Sequence, residues 1–189
     1  MSGIYENYDS VDLKKLCDDY GKMIYYDYPT RHLAPNQHTD TVNINEYGFR
    51  GLEITQTKND NTFRIFLVGG SETYGMFSTS DKTTLQGYLQ QKLDALDTDY
   101  KIEVINAGIN GGISKHEADL IKNKISKMSP DLIVVYDGWN DSKIGSYGQY
   151  VEDWDAEVND VAWKNRWIDV CNLYNKEFDI IIALQPLLT

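Results

Sequence analysis

The chain has 189 residues and a formal net charge of -11, with 29 Asp and Glu against 18 Lys and Arg. This length suits one domain with a substantial core, and the acidic balance argues against a surface that follows nucleic-acid phosphates. No stretch approaches the roughly 18 apolar residues that cross a bilayer, and the first residues lack the basic and apolar regions of a signal peptide. We therefore expect a cytoplasmic protein with no membrane span and no nucleic-acid partner.

The chain contains two cysteines. Cys17 and Cys171 lie far apart in the sequence, and neither belongs to a CxxC pair. This spacing indicates neither a metal site nor redox chemistry. We expect both cysteines to be buried free thiols.

Residues 1–60 predict an N-terminal arm, helical at first and then extended. Asp9 or Ser10 can cap a helix whose apolar positions recur at spacings of three and four residues: Leu13, Leu16, Cys17, Tyr20 and Ile24. Residues 25–35 are rich in tyrosine and contain prolines. The alternation over residues 41–45 then predicts a strand that runs into a turn at residues 48–51.

From residue 61 to residue 189, apolar runs alternate with helical patterns, which predicts βαβ units and a parallel sheet. The predicted strands are residues 65–68, 102–106, 132–136 and 180–184. The pattern predicts a three-layer α/β fold with flavodoxin-like topology, in which the strand order begins 2-1-3-4.

Three helices are predicted between these strands. The first begins at Ser80 or Asp81, and the second opens with a capping box from Ser114 to Glu117. Their inward-facing positions are expected to be Leu85, Leu89, Leu93 and Leu96 in the first, Ala118, Ile121, Ile125 and Met128 in the second, and Trp163, Trp167, Val170 and Tyr174 in the third.

Small and amide residues follow three of the predicted strands. Ser71 lies in the glycine-rich turn of residues 69–75, Gly111 follows the second strand and Asn140 follows the third. Such ends meet at the sheet edge where ligands bind in open α/β folds. A serine hydroxyl is a weak nucleophile that needs a nearby base, together with donors for the developing oxyanion. The candidate donors are the N–H of Ser71, the N–H of Gly111 and the side-chain NH2 of Asn140.

Together the three segments resemble the first three sequence blocks of the SGNH hydrolases, also called GDSL-type esterases. They read Gly-Gly-Ser-x-Thr-x-Gly, Asn-Ala-Gly-Ile-Asn-Gly and Gly-Trp-Asn-Asp. Gly-Gly-Ser stands where the family's name pattern has Gly-Asp-Ser. The resemblance implies that Ser71 is the nucleophile, that Gly111 and Asn140 complete the oxyanion hole, and that neither a cofactor nor a metal is needed.

Residues 42–51 also look like the segment that precedes the domain in bacterial members thought to act on acylated carbohydrates. The resemblance therefore implies an ester hydrolase that removes an O-acyl or O-acetyl group from a carbohydrate or a small-molecule ester. An acyl-enzyme on Ser71 would be its intermediate.

One block of the family pattern is missing. The family carries its catalytic Asp and His in a last block, Asp-x-x-His, after a fifth strand, whereas His32, His38 and His116 all precede residue 139. Residues 185–189 resemble the end of the fourth strand in such proteins, so we expect a C-terminally incomplete domain. His116 is predicted to be a solvated residue in the first turn of its helix. His32 and His38 could act as the base if the arm folds over the site.

The missing base leaves two other interpretations open. The chain could be a non-catalytic ligand-binding remnant of the same fold, or the N-terminal part of a split or longer esterase. In the second case, the apolar strand at residues 180–184 would expose an edge that favours self-association or binds a complementing C-terminal segment.

Three further alternatives concern single groups of residues. The serine turn could cradle a phosphate, although it lacks the Lys of a P-loop. Asp137, Asn140 and Asp141 could ligate Mg2+. The tryptophans are expected to pack in the core and helices rather than to form sugar-binding platforms.

Overall fold

The computed structural model describes residues 10–26, 31–141, 160–174 and 177–184. Its N-terminal part contains one helix and four two-residue strands: α1 (Ser10–Gly21), β1 (Tyr25–Tyr26), β2 (His32–Leu33), β3 (Gln37–His38) and β4 (Asn43–Ile44). β1 pairs with β2 and β3 pairs with β4, both antiparallel. The predicted helix and strand are both present, although the strand is shorter than residues 41–45. The predicted cap Asp9 and residues 185–189 lie outside the described residues.

α1 packs against the rest of the chain through Leu16 and Asp19, which are both buried. The Asp19 carboxylate accepts hydrogen bonds from the N–H (3.2 Å) and the hydroxyl (2.8 Å) of Thr41. Because a buried carboxylate needs such donors, the helix turns Asp19 inward and leaves Cys17 outside. The expectation of two buried thiols is wrong: Cys17 is exposed and Cys171 is partly exposed.

Four parallel strands form the central sheet: β5 (Thr62–Gly69), β6 (Lys101–Gly108), β7 (Leu132–Asp137) and β8 (Asp179–Leu184). Their order is β6-β5-β7-β8, which confirms the predicted order 2-1-3-4. The sequence indicated these strands because a parallel sheet covered on both faces requires continuous apolar runs.

The described helices of this part are α2 (Ser71–Tyr74), α3 (Leu85–Asp94), α4 (Ser114–Asn123) and α5 (Asp160–Tyr174). Short 3-10 turns precede α3, at Asp81–Thr83, and follow α4, at Ile125–Met128. None of the described helices combines the length and apolar character that crossing a membrane requires.

Helices cover both faces of the sheet. Phe66 and Val68 of β5 lie in the larger core, which also contains these residues of the α4 and α5 side: Ala118, Ile121, Ile125, Met128, Trp167, Val170 and Tyr174. Ile65 and Leu67 point to the other face, where Leu89 and Leu93 of α3 pack. The three-layer α/β fold is confirmed, as are the inward faces of the second and third helices among the described side chains. The side chain of Trp163 lies outside them.

The start of α3 differs from the prediction. It begins at Leu85 rather than at residue 80 or 81, because Thr84 Oγ1 accepts a hydrogen bond from the N–H of Gly87 at 3.1 Å and caps it. Leu85 and Leu96 are exposed and do not belong to the inward stripe.

The capping of α4 also differs from the prediction. Ser114 is the first helical residue, preceded by Ile113, whose N–H donates to His116 Nδ1 at 3.4 Å. The Ser114 hydroxyl instead donates to the Asp141 carboxylate, and Glu117 is buried. The predicted capping box between Ser114 and Glu117 is therefore wrong, since a partner distant in sequence replaces it.

Candidate active site

The strand register brings three loops to one level at the carboxyl edge of the sheet. Gly69, the last residue of β5, pairs with the last residue of β6 and with the penultimate residue of β7. Ser71, Gly111 and Asn140 follow these paired positions by two, three and four residues. The structure therefore places all three sequence-predicted site residues beyond the same edge of the sheet.

Ser71 begins α2 directly after β5. Its backbone carbonyl accepts hydrogen bonds from the N–H groups of Gly75 (3.0 Å) and Met76 (2.9 Å), which close the turn. Its hydroxyl is partly exposed and donates to Glu72 Oε2 at 3.1 Å. The sequence reasoning did not identify Glu72, although its position next to the serine was the available signal.

The Asn140 amide lies between the loops that follow β5 and β6. Its Nδ2 donates to the carbonyl of Gly112 at 2.6 Å, and lies 3.0 Å from the position that a Cβ on Gly70 would take. Because an amide nitrogen carries two N–H donors, the bond to Gly112 leaves a second one. The Asn140 amide thus lies beside Gly70, the residue immediately before the serine.

Gly111 occupies an exposed turn. Its φ of +69° is a left-handed conformation that favours glycine, whereas no atom lies within 4 Å of the position that its Cβ would take. The adjacent Gly112 donates its N–H to the carbonyl of Ile109 at 2.7 Å. Backbone conformation, rather than close packing, accounts for glycine at residue 111, and the space around it is open.

Three buried carboxyl groups lie beneath this edge, those of Glu117, Asp137 and Asp141. Glu117 is fully buried, and its carboxyl group interacts with that of Asp137. Its Oε1 lies 3.5 Å from the position that a Cβ on Gly112 would take. Burial, together with the nearby charges of Asp137 and Asp141, raises the pKa of Glu117 well above its ordinary value. The group therefore favours its protonated form beneath the loop that carries Gly112.

Asp141 ties the loop after β7 to the start of α4. Its carboxylate accepts hydrogen bonds from the N–H (2.9 Å) and hydroxyl of Ser114, and Arg166 Nη1 lies 3.8 Å from Asp141 Oδ1. These contacts give Asp141 a structural role. Within the described ranges, no three His, Cys, Asp or Glu side chains are grouped so as to hold a metal ion.

The three histidines make contacts outside the serine turn. His116 Nδ1 accepts from the N–H of Ile113, His38 Nδ1 bonds with Asn43 Oδ1, and the His32 ring stands edge-on against Tyr26 at 5.4 Å between centroids. Burial, and then the positive charge of Arg31, lower the pKa of His116. His116 lies in the first turn of α4, as predicted, but it is half-buried rather than fully solvated.

No protein-family model matches the sequence, and no curated protein is significantly similar to it. Among solved structures, the chain is similar to Axe2, an acetylxylan esterase from Geobacillus stearothermophilus, with a TM-score of 0.52, 17% identity, and coverage of 64% of this chain and 58% of that chain. It is also similar to a serine mutant of the esterase AlinE4, with a TM-score of 0.51, 16% identity, and coverage of 66% and 60%. The chain thus spans about three fifths of these structures. At these identities the similarity concerns the fold, which this protein shares with esterases.

Proposed function

We propose that this protein is an ester hydrolase of the SGNH type and that Ser71 is its nucleophile. One observation carries the proposal: the Asn140 amide, from the loop after β7, reaches the residue that precedes Ser71 at the end of β5. A serine hydroxyl and an amide donor at one edge of a parallel sheet suit acyl transfer. The shared fold supports the proposal, as do serine and histidine variants of Axe2 that are described as catalytic mutants.

In the proposed reaction, Ser71 Oγ attacks the carbonyl carbon of the ester while a base takes the hydroxyl proton. The N–H of Ser71, the N–H of Gly111 and the Asn140 amide hold the oxyanion. The bond from the carbonyl carbon to the alcohol oxygen then breaks, and the alcohol leaves with the proton from the base. Water finally hydrolyses the acyl group from Ser71.

We propose an O-acyl or O-acetyl carbohydrate as the substrate. The acetylxylan substrate in the name of Axe2 supports an acetylated carbohydrate. The likeness of residues 42–51 to the leader of carbohydrate-deacylating bacterial proteins supports it as well. The reaction needs no cofactor.

The general base decides whether this chain can catalyse the reaction by itself. The described hydroxyl contact of Ser71 is the Glu72 carboxylate, and a carboxylate is a weaker base than an imidazole. The separate contacts of the three histidines favour a second candidate, a ligand-binding module that keeps the oxyanion site without turnover. The rate of ester hydrolysis distinguishes the two candidates.

The test is hydrolysis of an activated aryl acetate by the wild-type chain and by Ser71→Ala. In serine proteases, loss of the triad histidine costs roughly 10^6 in kcat and leaves about 10^3 to 10^4 over water. We therefore expect a rate barely above background, which Ser71→Ala changes little because such a residual rate does not depend on the nucleophile. Ser80→Ala is the control, because Ser80 is also partly exposed and begins a turn.

Two other results would change the proposal. A substantial rate that survives in Ser71→Ala would contradict a nucleophilic role for this serine. A substantial rate that depends on Ser71 would show that the chain contains its own base. Glu72→Gln, His32→Ala, His38→Ala and His116→Ala would then identify it.

A further inference from the structure

A buried arginine connects the N-terminal residues to the turn that carries Ser71. Arg50 is 3% exposed. Its Nη1 donates to the carbonyls of Tyr74 (3.1 Å) and Gly75 (2.8 Å), and its Nε donates to Asp81 Oδ1 (2.8 Å). One side chain thus binds the end of α2 and the carboxylate that precedes α3.

The two carbonyls that bind Nη1 lie where α2 ends. α2 has four residues and stops at Gly75, whose φ of +81° is left-handed. The Tyr74 carbonyl also accepts a hydrogen bond from Asn106 Nδ2 (3.3 Å), and the Gly75 carbonyl accepts one from the N–H of Ser78 (3.0 Å). The planar guanidinium of Arg50 supplies several N–H donors in a fixed fork, which gives both carbonyls a second, charged donor at once.

The same turn is hydrogen-bonded to the backbone of the serine. Ser71 contributes the carbonyl that accepts the N–H groups of Gly75 and Met76, so movement of the peptide after Tyr74 is transmitted to Ser71. The arginine backbone is also fixed, because the N–H of Arg50 donates to the carbonyl of Asn106 in β6 at 3.1 Å. Arg50 therefore holds the turn against the sheet.

We infer that Arg50 is a positioning residue for Ser71. Its guanidinium holds the serine turn in register with the loops that carry Gly111 and Asn140, so the N-terminal segment supplies part of the active-site support. The inference rests on the proposed role of Ser71 as the nucleophile. Positioning has a large effect on rate, since a misplacement of about 1 Å can cost about 10^2-fold.

The chain offers a matched control in Arg64, near the opposite end of β5. Arg64 is 0% exposed. Its Nε and Nη2 donate to Glu103 Oε2 (3.1 and 3.0 Å), and its Nη1 donates to the carbonyls of Gln56 (3.2 Å) and Met128 (2.7 Å). Both arginines thus combine a carboxylate with backbone carbonyls, two for Arg64 and three for Arg50, whose Nη2 also donates to the carbonyl of Thr41 (2.9 Å). Of the two, Arg50 contacts the serine turn.

The experiment measures inactivation of Ser71 by a fluorophosphonate, followed by mass spectrometry at a temperature where every variant is folded. Arg50→Met is expected to lower the maximal inactivation rate about tenfold or more with little change in probe affinity, whereas Arg64→Met leaves the rate unchanged. Arg50→Lys keeps the positive charge but lacks the planar arrangement of N–H donors, and it is expected to recover part of the inactivation rate. If Arg50→Met fails to fold, Asp81→Asn, which weakens one partner of the guanidinium, should give a smaller decrease. Equal effects of Arg50→Met and Arg64→Met would overturn the inference.

Amide hydrogen exchange separates this inference from the proposed function. If the wild-type serine is not modified at all, which is also the result expected of a serine without a base, exchange alone decides the role of Arg50. Arg50→Met should lower the protection from exchange of the amides of Tyr74, Gly75 and Met76, while the amides of β5 stay protected. If Arg50→Met unfolds, Arg50→Lys takes its place. Unchanged protection at the turn would contradict the support that we assign to Arg50.

Discussion

Glu117 lies fully buried beneath the loop that carries Gly112, and its carboxyl group interacts with that of Asp137. Ionising such a group inside the fold is unfavourable, because burial and the charges of Asp137 and Asp141 oppose it. The folded chain therefore retains a proton over a pH range in which the unfolded chain has lost it.

The consequence is a defined pH dependence of stability. Between the ordinary pKa of 4.5 and the raised pKa of the folded state, the unfolded state binds fewer protons than the folded state. The free energy of unfolding therefore falls as pH rises, by about 1.4 kcal/mol for each pH unit in this range. Glu117→Gln should remove this fall. We expect the variant to match the wild type in acid and to exceed its stability at neutral pH in urea titrations.

Glu103 provides a control, because its effect on stability should change with pH in the opposite direction. Burial alone would raise the pKa of Glu103, but hydrogen bonds from Lys101 and Arg64 outweigh it and hold the pKa below its ordinary value. Its stabilising contribution is present above the unfolded pKa and is lost as pH falls through the folded pKa. Glu103→Gln should therefore destabilise the chain at neutral pH more than in acid. A Glu117→Gln variant that behaves in the same way would contradict the assignment of a protonated buried carboxyl.

At the scale of elements, the contact between α2 and β6 depends on Gly108. A Cβ at this position would lie 2.6 Å from the carbonyl carbon of Thr73 and closer still to the nitrogen of Tyr74. Because backbone atoms cannot move aside as a flexible side chain can, Gly108→Ala should displace α2. We expect a loss of about 1–3 kcal/mol in the free energy of unfolding, measured from the urea midpoint, together with slower reaction of Ser71.

Gly21→Ala is the matched control, since no atom lies within 4 Å of the position that its Cβ would take at the end of α1. Alanine is favoured over glycine in helices, so this variant should lose no stability. Equal stability of the Gly108 and Gly21 variants would show that α2 does not rest directly on β6.

The elements and their order could be predicted from the sequence because buried parallel strands and amphipathic helices follow local rules. Residues 65–68 and 180–184 are continuous apolar runs, and both are strands of the sheet. Positions whose role depends on distant partners could not be predicted in this way. The carboxylate that binds Ser114 comes from Asp141, and the serine turn is held by Arg50.

The residues of the candidate site also divide into those that the sequence predicts and those that it does not. The positions of Ser71, Gly111 and Asn140 at one edge follow from strand ends and from the likeness to known sequence blocks. The protonated carboxyl beneath the loop could not be anticipated, because its burial results from packing across two layers. Glu117 reads in the sequence as an ordinary residue in the first turn of a helix.

At the scale of the whole molecule, β8 pairs with β7 along one side in the part of the chain that the structure describes. Ile181 of β8 is 53% exposed. An apolar strand with an unpaired side is a template for further pairing. We predict that the 189-residue chain self-associates, or binds a separate segment that carries a fifth strand and an Asp-x-x-His block.

Light scattering and ester hydrolysis with and without such a segment test this prediction. The segment should bind and raise the rate, whereas a matched segment with its His replaced by Ala should bind without raising it. A stable monomer at high concentration, with no binding and no gain in rate, would rule out both forms of association.

The most direct test of the central claim is covalent capture of the nucleophile. The chain is treated with a fluorophosphonate, digested, and mapped by mass spectrometry. We predict an adduct on the peptide that carries Ser71, absent from Ser71→Ala and retained in Ser80→Ala, because Gly70, which precedes Ser71, lies beside the Asn140 amide that contacts Gly112. An adduct that persists in Ser71→Ala, or one that forms on another serine in place of Ser71, would contradict the assignment of this sheet edge as an active site.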